Sequence, residues 1–280
     1  MQKILIVGAG VMGRGIALVM ARAGLSPTLF DVKQEMLKTS EQYVASFLAK
    51  SVDKGKMSAE ERQATLDRLS YTTDEQSWQA DLVLEAVPEK LELKHQVLQK
   101  AAAQNPETTI LASNTSTLPI TRIAAAIAHP ERVVGMHFFN PAPLMKLVEV
   151  IAGAETSPEV SERVSQLARD LGKQPVHAQD VPGFIVNRVA RHFYLESLKT
   201  LENGGINHAG IDRLMRSSGF RMGPFALMDL IGVETNLSVT QSMYEAFFYD
   251  EKFRPSRLQQ QKTDAGHHGR KSGRGFYTYE

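Results

Sequence analysis

The chain has 280 residues, of which 42% are hydrophobic, and it carries 32 basic against 31 acidic residues. This length suits a nucleotide-binding domain plus a smaller one, and a net charge of +1 lacks the basic footprint of a nucleic-acid-binding protein or a membrane-surface stripe. The absence of cysteine excludes disulfides and thiol chemistry.

Small molecules are therefore the expected partners, without nucleic acid or membrane. No apolar run approaches the roughly 20 residues of a membrane span. The chain starts directly with an apolar strand, so we expect no signal peptide and a cytoplasmic location. The adjacent pair His267 and His268 lacks partners at metal-ligand spacing, so we expect no metal site.

The first predicted element leads into a glycine-rich turn. Residues 4–7 form a continuous apolar run, typical of a strand buried in a parallel sheet. Gly8, Gly10 and Gly13 follow in G-x-G-x-x-G spacing, and a segment of helical periodicity comes directly after. In such a turn the first glycine permits a tight bend and the second lets a ligand approach the backbone. The third allows close helix packing, so that the helix N-terminus can face a pyrophosphate.

A second strand, residues 26–30, ends at Asp31, which lies 18 residues after Gly13. A carboxylate at this place can accept both ribose hydroxyls of an adenosine and would repel a 2′-phosphate. Strand, helix, second strand and acid in this order predict a dinucleotide-binding domain that favours NAD over NADP. Arg14 and Lys33 lie close in sequence, which leaves some tolerance for a phosphate open.

Two charged helices are predicted between residues 32 and 69. Lys50, Lys54 and Lys56 surround a turn at Gly55. Such a charge run is ordinarily explained as a solvated face. The other explanation is that the lysines bind an anionic ligand, such as the phosphates of an acyl carrier. Both interpretations stay open.

The next two predicted strands, residues 81–87 and 109–112, lead into polar segments. Glu89 follows the first strand and residues 113–116 follow the second. In an open parallel sheet, ligands bind beyond the carboxyl ends of the strands, so both segments are candidate cofactor contacts. Helix capping is the alternative for Glu89 and for one or two of the four small polar residues.

A candidate general base follows the strand at residues 132–136. His137 comes at the end of that strand, and Glu149 lies in an otherwise apolar run at residues 144–151. A buried carboxylate needs a partner, and an acid that orients a histidine makes it an effective base near neutral pH. Spacing cannot distinguish such a dyad from a core histidine and a separate glutamate that faces water.

The composition changes at residues 180–183, after which nearly the whole chain has helical periodicity. We therefore predict an α/β Rossmann-type domain over residues 1–182 and an all-α domain over residues 183–280. Helices are expected in the second domain at residues 184–203, 209–218 and 225–248. The basic, glycine-rich tail from Gly269 either folds back on an anionic ligand or forms a mobile end.

An ordered set of segments runs through the chain at residues 8–17, 85–89, 113–116, 137–143, 147–150, 180–188, 222–225 and 273–277. In this order the segments resemble the short-chain L-3-hydroxyacyl-CoA dehydrogenases, in particular the bacterial 3-hydroxybutyryl-CoA dehydrogenases. The resemblance covers essentially the whole chain. It departs from the family pattern at Arg14, where a small or polar residue is usual.

The resemblance implies NAD-dependent oxidation of (S)-3-hydroxyacyl-CoA, in particular 3-hydroxybutyryl-CoA, to 3-oxoacyl-CoA, and the reverse reaction. His137 matches the catalytic base and Glu149 its paired acid. Ser116 matches a serine that binds the substrate oxygen, and Asn187 an asparagine that completes the site from the helical domain. That domain is expected to bind substrate and to form a homodimer.

The glycine turn and the resemblance together predict the cofactor contacts Gly8, Gly10, Val11, Met12, Gly13, Asp31, Glu89, Lys94, Asn114, Ser116, Asn140 and Lys271. Lys50, Lys54 and Lys56 fall in the region where the family binds CoA, but the resemblance assigns no specific CoA contact to any one of them. Two rivals stay open. One is a related dehydrogenase of a free hydroxy acid or sugar acid, and the other is a non-catalytic NAD-binding protein, which would not need His137 and Glu149.

Overall fold

The structure, a computed structural model, describes residues 3–280, and eight strands form the sheet of its first unit. They are β1 Lys3–Val7, β2 Ser26–Phe30, β3 Ser70–Thr72, β4 Leu82–Glu85, β5 Ile110–Ser113, β6 Val133–Phe138, β7 Leu147–Ala152 and β8 Gln174–Ala178. Their spatial order is β3-β2-β1-β4-β5-β6-β7-β8. The sequence patterns did not predict β3, which has only three residues.

All neighbouring strands pair in parallel except β6 and β7, which are antiparallel. Strands in the middle of a parallel sheet are covered on both faces, which explains their continuous apolar runs. In β4, for example, Leu82, Val83 and Leu84 are fully buried.

Six helices accompany the sheet: α1 Val11–Arg22, α2 Gln34–Asp53, α3 Ala59–Asp67, α4 Leu91–Gln104, α5 Ile120–Ala124 and α6 Pro158–Asp170. Ile16 of α1 and Val164 of α6 belong to one apolar core with the strand residues. Local caps set where helices begin. At α3, Ser58 accepts a hydrogen bond from the Glu61 N–H, and the Glu61 carboxylate accepts one from the Ser58 N–H.

The strand order has a direct consequence for ligand binding. Because β1 lies between β2 and β4, the chain moves outward in both directions from β1. In doubly wound sheets the ligand crevice lies beyond the carboxyl ends of the strands at this switch point. The glycine turn after β1 and the loop after β4 are therefore the two segments at the crevice.

The second unit comprises residues Pro182–Glu280 and follows a break in internal contacts after Val181. Its five helices are α7 Val186–Glu202, α8 His208–Ser217, α9 Pro224–Ile231, α10 Val233–Ala246 and α11 Arg257–Asp264. Leu198, Phe225 and Met228 form part of its separate apolar core. Among residues 3–280, no helix is long and apolar enough to cross a membrane.

The structure corrects the expected single helix at residues 225–248. The segment forms two helices, α9 and α10, which meet at Gly232. Gly232 has a φ of 106°, a left-handed value that glycine adopts without the steric penalty of a Cβ. Helix α11, which the sequence analysis did not predict, follows after a short 3-10 turn at Glu251–Phe253.

The C-terminal tail is folded onto the helical unit. The backbone N–H groups of Phe276 and Tyr277 donate to the Asp229 carboxylate at 2.8 and 2.9 Å. The Tyr279 hydroxyl also donates to Asp229, and burial together with this bond raises the pKa of Tyr279 to about 12. The Tyr277 hydroxyl donates a hydrogen bond to the Asp212 carboxylate. Carboxylates of the unit itself therefore hold the tail, and the mobile-end alternative was wrong.

Candidate functional site

The three glycines of the first turn differ in their surroundings. Gly8 has a φ of 107°, and a Cβ there would lie 2.8 Å from the Ala86 carbonyl oxygen. A Cβ on Gly13 would lie 1.8 Å from the Gly8 carbonyl oxygen, so only glycine lets α1 pack this closely. A Cβ on Gly10 would meet nothing within 4 Å. The backbone at Gly10 is thus open, as the approach of a ligand requires.

The N-terminus of α1 fits a pyrophosphate. Gly10 is the N-cap, no side chain within residues 3–280 caps the first turn, and that turn holds no acidic residue. Val11, the first helical residue, is 54% exposed. The first N–H groups of a helix, here those of Val11 and Met12, have no intrahelical partner and favour an anion.

Asp31 lies beside this turn at the end of β2. Its carboxylate accepts hydrogen bonds from the Ala9 N–H and the Lys33 N–H, both at 2.9 Å. These bonds orient the acid next to the glycine turn, which suits a ribose contact. The Arg14 guanidinium instead lies 4.3 Å from the centre of the Tyr43 ring on α2. Arg14 therefore packs against α2 and forms no ion pair with Asp31.

An ion cluster lies at the loop after β4, in which Lys94 and Glu85 are buried and Glu89 is exposed. Lys94 is 1% exposed, and its Nζ lies 2.8 Å from Glu85 Oε1 and 3.1 Å from Glu89 Oε2. Burial alone would lower the pKa of Lys94, but the two carboxylates outweigh burial and raise it. Burial would raise the pKa of Glu89, but Lys94 and the hydrogen bonds to Glu89 hold it below its usual value.

The same cluster holds the polar segment after β5. Glu89 Oε1 accepts hydrogen bonds from the N–H groups of Ser116 and Thr117 at 2.8 and 3.0 Å. Ser113 Oγ donates to Glu85. Glu89 therefore holds the loop after β5 and does not cap α4, whose first turn has no side-chain cap. A role of Glu89 or Lys94 in NAD contact stays a prediction. Sequence reasoning assigned no role to Glu85, although an acid that ends an apolar strand nine residues before a lysine was a usable signal.

His137 and Glu149 are partners in the antiparallel pairing of β6 with β7. Directly opposed residues of such a pair place their side chains on the same face, close together. His137 Nδ1 lies 2.8 Å from Glu149 Oε2, and the two side chains are 5% and 1% exposed. With Glu149 as the acceptor, Nδ1 carries the proton and Nε2 becomes the nitrogen that can accept one. The structure thus shows a contact between His137 and Glu149 that their spacing in the sequence could not establish.

Other predicted residues lie at the same sheet edge. Asn114 follows β5, and its side-chain oxygen accepts a hydrogen bond from the Phe138 N–H at 2.8 Å, which ties the ends of β5 and β6 together. Ser116 is half-buried, and Asn140, two residues beyond β6, is exposed. The sheet therefore gathers these residues near His137, although contact with a cofactor remains a prediction for each.

Two predicted residues belong to the helical unit. Asn187 is the second residue of α7 and is half-buried. Lys271 is 58% exposed and pairs with Glu234, whose other carboxylate oxygen lies 3.3 Å from His268 Nδ1. Within residues 3–280, no group of three or more histidine and acidic side chains is placed to hold a metal ion.

The three lysines near Gly55 surround the turn between α2 and α3. Lys50 is in the last turn of α2, Lys54 is its C-cap, and Gly55 has a left-handed φ of 64°. Lys50, Lys54 and Lys56 are all exposed, and none forms an ion pair with another described residue. Their charges are available to an anionic ligand, and a solvated face explains them equally well.

A dinucleotide turn and a histidine oriented by a carboxylate at one sheet edge define the class of nicotinamide-dependent dehydrogenases. The family model of the 3-hydroxyacyl-CoA dehydrogenase NAD binding domain matches residues 3–181, and that of the C-terminal domain matches residues 183–279. The chain belongs to the 3-hydroxyacyl-CoA dehydrogenase family and is an NAD-dependent oxidoreductase of that family.

Three relatives show the extent of the similarity. The 3-hydroxyadipyl-CoA dehydrogenase of Escherichia coli is 44% identical over 99% of this chain and 59% of that protein. A probable 3-hydroxybutyryl-CoA dehydrogenase of Bacillus subtilis is 41% identical over 100% of this chain and 98% of that protein. The crystal structure of (S)-3-hydroxybutyryl-CoA dehydrogenase from Ralstonia eutropha has a TM-score of 0.94 at 37% identity, and covers 100% of this chain and 99% of that one.

These findings confirm four predictions from the sequence: the family, the Rossmann-type domain followed by a helical domain, NAD as the cofactor and the dehydrogenase class.

The ion cluster leads to a testable prediction. In Lys94→Met, Glu85 and Glu89 lose their shared cation, and we expect the free energy of unfolding at pH 8 to fall by about 3 kcal/mol, as for a broken buried ion pair. In the wild type, Glu89 stabilises the fold above its ordinary pKa, and this contribution disappears as the pH falls through the lowered folded value.

Without the lysine, burial favours protonation of one carboxylate, so the stability difference from wild type should narrow between pH 8 and pH 5. Urea unfolding at several pH values measures this difference. Lys100→Met is the matched control, because Lys100 lies on the same helix, is 30% exposed and pairs with the exposed Glu75. This control should cost no more than about 1 kcal/mol. Equal losses in the two variants would contradict the prediction.

Proposed function

We propose that the chain oxidises (S)-3-hydroxyacyl-CoA, and in particular 3-hydroxybutyryl-CoA, to 3-oxoacyl-CoA, and that it catalyses the reverse reaction. The observation that carries the proposal is the 2.8 Å contact between His137 Nδ1 and Glu149 Oε2 at the edge of an NAD-binding sheet. Two of the compared relatives are named as 3-hydroxybutyryl-CoA dehydrogenases, which supports the thioester substrate.

In this proposal His137 is the general acid and base. NAD, when bound, supplies the acceptor for the hydride. His137 takes the proton of the substrate 3-hydroxyl through Nε2 during oxidation and returns it during reduction. Glu149 keeps the imidazole in the required tautomer and stabilises its protonated form. Because both side chains are almost fully buried, little water screens their interaction.

The proposal assigns supporting roles to the remaining predicted residues. Ser116 and Asn187 hydrogen-bond the substrate oxygen, and their donors hold it in line with His137. Lys50, Lys54 and Lys56 contact the phosphates of CoA. Two observations support this CoA contact: the three lysines are exposed around one turn, and they form no ion pairs with other described residues.

Three assays distinguish the proposal from its rivals. We expect NADH consumption with acetoacetyl-CoA and not with acetoacetate, because the free acid lacks the CoA group. We expect little consumption when NADPH replaces NADH, because Asp31 would repel a 2′-phosphate. Absorbance at the NADH band measures each reaction. Turnover of acetoacetate alone would favour the free-acid dehydrogenase, and no turnover at all would favour a non-catalytic NAD-binding protein.

His137→Gln tests the base directly. The glutamine keeps a polar side chain of similar size but cannot accept the hydroxyl proton, so kcat should fall by at least about 100-fold. The affinity for NADH, measured by fluorescence titration, should change little because His137 lies outside the glycine turn. His177→Gln, at an exposed histidine on β8, is the control and should keep wild-type turnover. Unchanged kcat in His137→Gln would refute the assignment.

We also infer a homodimer formed through the helical unit. Eight of the thirteen exposed large apolar side chains among the described residues lie in this unit. They are Ile185, Val189, Leu214, Phe220, Leu230, Ile231, Phe248 and Tyr249. Exposed apolar side chains gathered on a smaller unit favour contact with a partner surface.

Ile231→Lys tests this inference, since a charge at a buried apolar contact should weaken association. Sedimentation equilibrium should give twice the 31.0 kDa chain mass for the wild type and a shift toward the single chain for the variant. Val176→Lys in the first unit is the control, because Val176 and Ile231 are both 41% exposed. A monomeric wild type would overturn the inference.

A further inference from the structure

A phenylalanine ring lies against the imidazole of His137. Phe139 follows β6 directly and is half-buried. The centre of its ring lies 4.5 Å from the centre of the His137 ring, with 54° between the two ring planes. Aromatic rings attract one another in such non-parallel arrangements at this distance. The imidazole is thus contacted by the Phe139 ring as well as by the Glu149 carboxylate.

The hydrogen bond to Glu149 does not by itself give the imidazole the precision that proton transfer requires. A hydrogen bond is favourable above about 150° and weakens steeply only below about 120°, so this single bond tolerates ring tilts of roughly 30° or more. A catalytic group has to be held within about 10–20° of its productive direction. A second contact must therefore limit the tilt, and the Phe139 ring supplies one because it blocks the space on its side of the imidazole.

Phe139 begins the loop that connects β6 to β7, residues 139–146. The middle of this loop is packed against α1. Ala142 is 2% exposed and belongs to the apolar core of the first unit. A Cβ on Gly15 of α1 would lie only 3.2 Å from the Ala142 Cβ, so the helix and the loop are in close contact. The loop that carries Phe139 therefore has a defined position on the helix that follows the glycine turn.

A lysine holds the same loop from its other side. Lys173 directly precedes β8 and is half-buried. Its Nζ donates to the carbonyl oxygens of Ala142 and Met145 at 2.6 and 2.8 Å. Among the described residues, no carboxylate forms an ion pair with Lys173. Hydrogen bonds from a charged donor are roughly twice as strong as those between neutral groups. The charge of Lys173 is thus directed at the backbone of the loop.

We propose that Phe139 is a positioning residue for the reaction and that Lys173 acts through it. Under the proposed function, on which this inference rests, Nε2 of His137 exchanges the proton of the substrate hydroxyl. Phe139 limits the tilt of the imidazole, so Nε2 keeps a fixed direction, and Lys173 keeps Phe139 in place by holding the loop. The competing explanation is that the loop serves only to present Asn140, a predicted cofactor contact, in which case a loosened loop weakens NADH binding.

Phe139→Leu tests the ring, because leucine keeps an apolar side chain but has no flat face. We expect kcat for acetoacetyl-CoA reduction to fall by about 10- to 100-fold, as for a misdirected catalytic group, with KM for both substrates close to wild type. The isotope effect on kcat with NADH deuterated at the transferred position should increase, because chemistry becomes slower relative to product release. Phe139→Tyr retains the ring and should keep nearly wild-type kcat.

Three results in this series would overturn the proposal. They are an unchanged kcat in Phe139→Leu, equal losses in the leucine and tyrosine variants, and a raised KM for NADH without a lower kcat. If Phe139→Leu does not fold, Lys173→Met decides alone, since an unchanged kcat in that variant also overturns the proposal.

Lys173→Met tests the route through the loop. We expect kcat to fall by about 3- to 10-fold, less than in Phe139→Leu because the ring is still present. Lys146→Met is the matched control, since it removes an exposed charge from the same loop and should leave kcat unchanged. The variant that combines Phe139→Leu with Lys173→Met should have the kcat of Phe139→Leu alone, because the contact that Lys173 maintains is already lost. Losses that multiply would overturn the role assigned to Lys173.

The wild type separates this inference from the proposed function. A wild type that does not reduce acetoacetyl-CoA refutes both. An active wild type whose Phe139→Leu variant is equally active refutes this inference and leaves the proposed function standing.

Discussion

The parallel pairing of β1, β4, β5 and β6 is the constraint on which the proposed site depends. Parallel strands end at the same sheet edge, so the glycine turn, the Glu89 loop, the Ser116 segment and His137 come together although they are far apart in the chain. The antiparallel strand β7 then adds Glu149 directly opposite His137. A shift of this register by one residue would turn Glu149 to the other face of the sheet and leave the histidine without its acid.

Two buried cations show how differently the units use charge. Lys94 is surrounded by Glu85 and Glu89, and the cluster connects the loop after β4 to the backbone of the segment that carries Ser116. Its charge is therefore used to hold the protein's own loops. Arg191 has only neutral oxygens as partners. Since both cations are removed from water, the contrast lies in their partners.

Much of the fold could be predicted from local patterns. Short apolar runs indicated the strands, because central strands of a parallel sheet are buried on both faces. The glycine spacing indicated the turn, because Gly8 and Gly13 face backbone atoms that leave no room for a Cβ. The break between α9 and α10 was missed, because helical periodicity continues through Gly232 and only its left-handed φ ends the helix. The conformation of the C-terminal tail could not be predicted, because Asp229, which binds it, is 47 residues from Phe276 in the chain.

The sequence by itself determined the class of this protein: a dinucleotide-binding sheet, a helical second domain and a set of segments that match 3-hydroxyacyl-CoA dehydrogenases. These features are local, since each depends on residues that are neighbours in the chain. Only the tertiary structure decided that His137 touches Glu149, that Lys94 is enclosed by two carboxylates and that Arg191 is buried without one. Each depends on strand register or helix packing between distant segments, and residue spacing carries no information about which side chains such packing brings together.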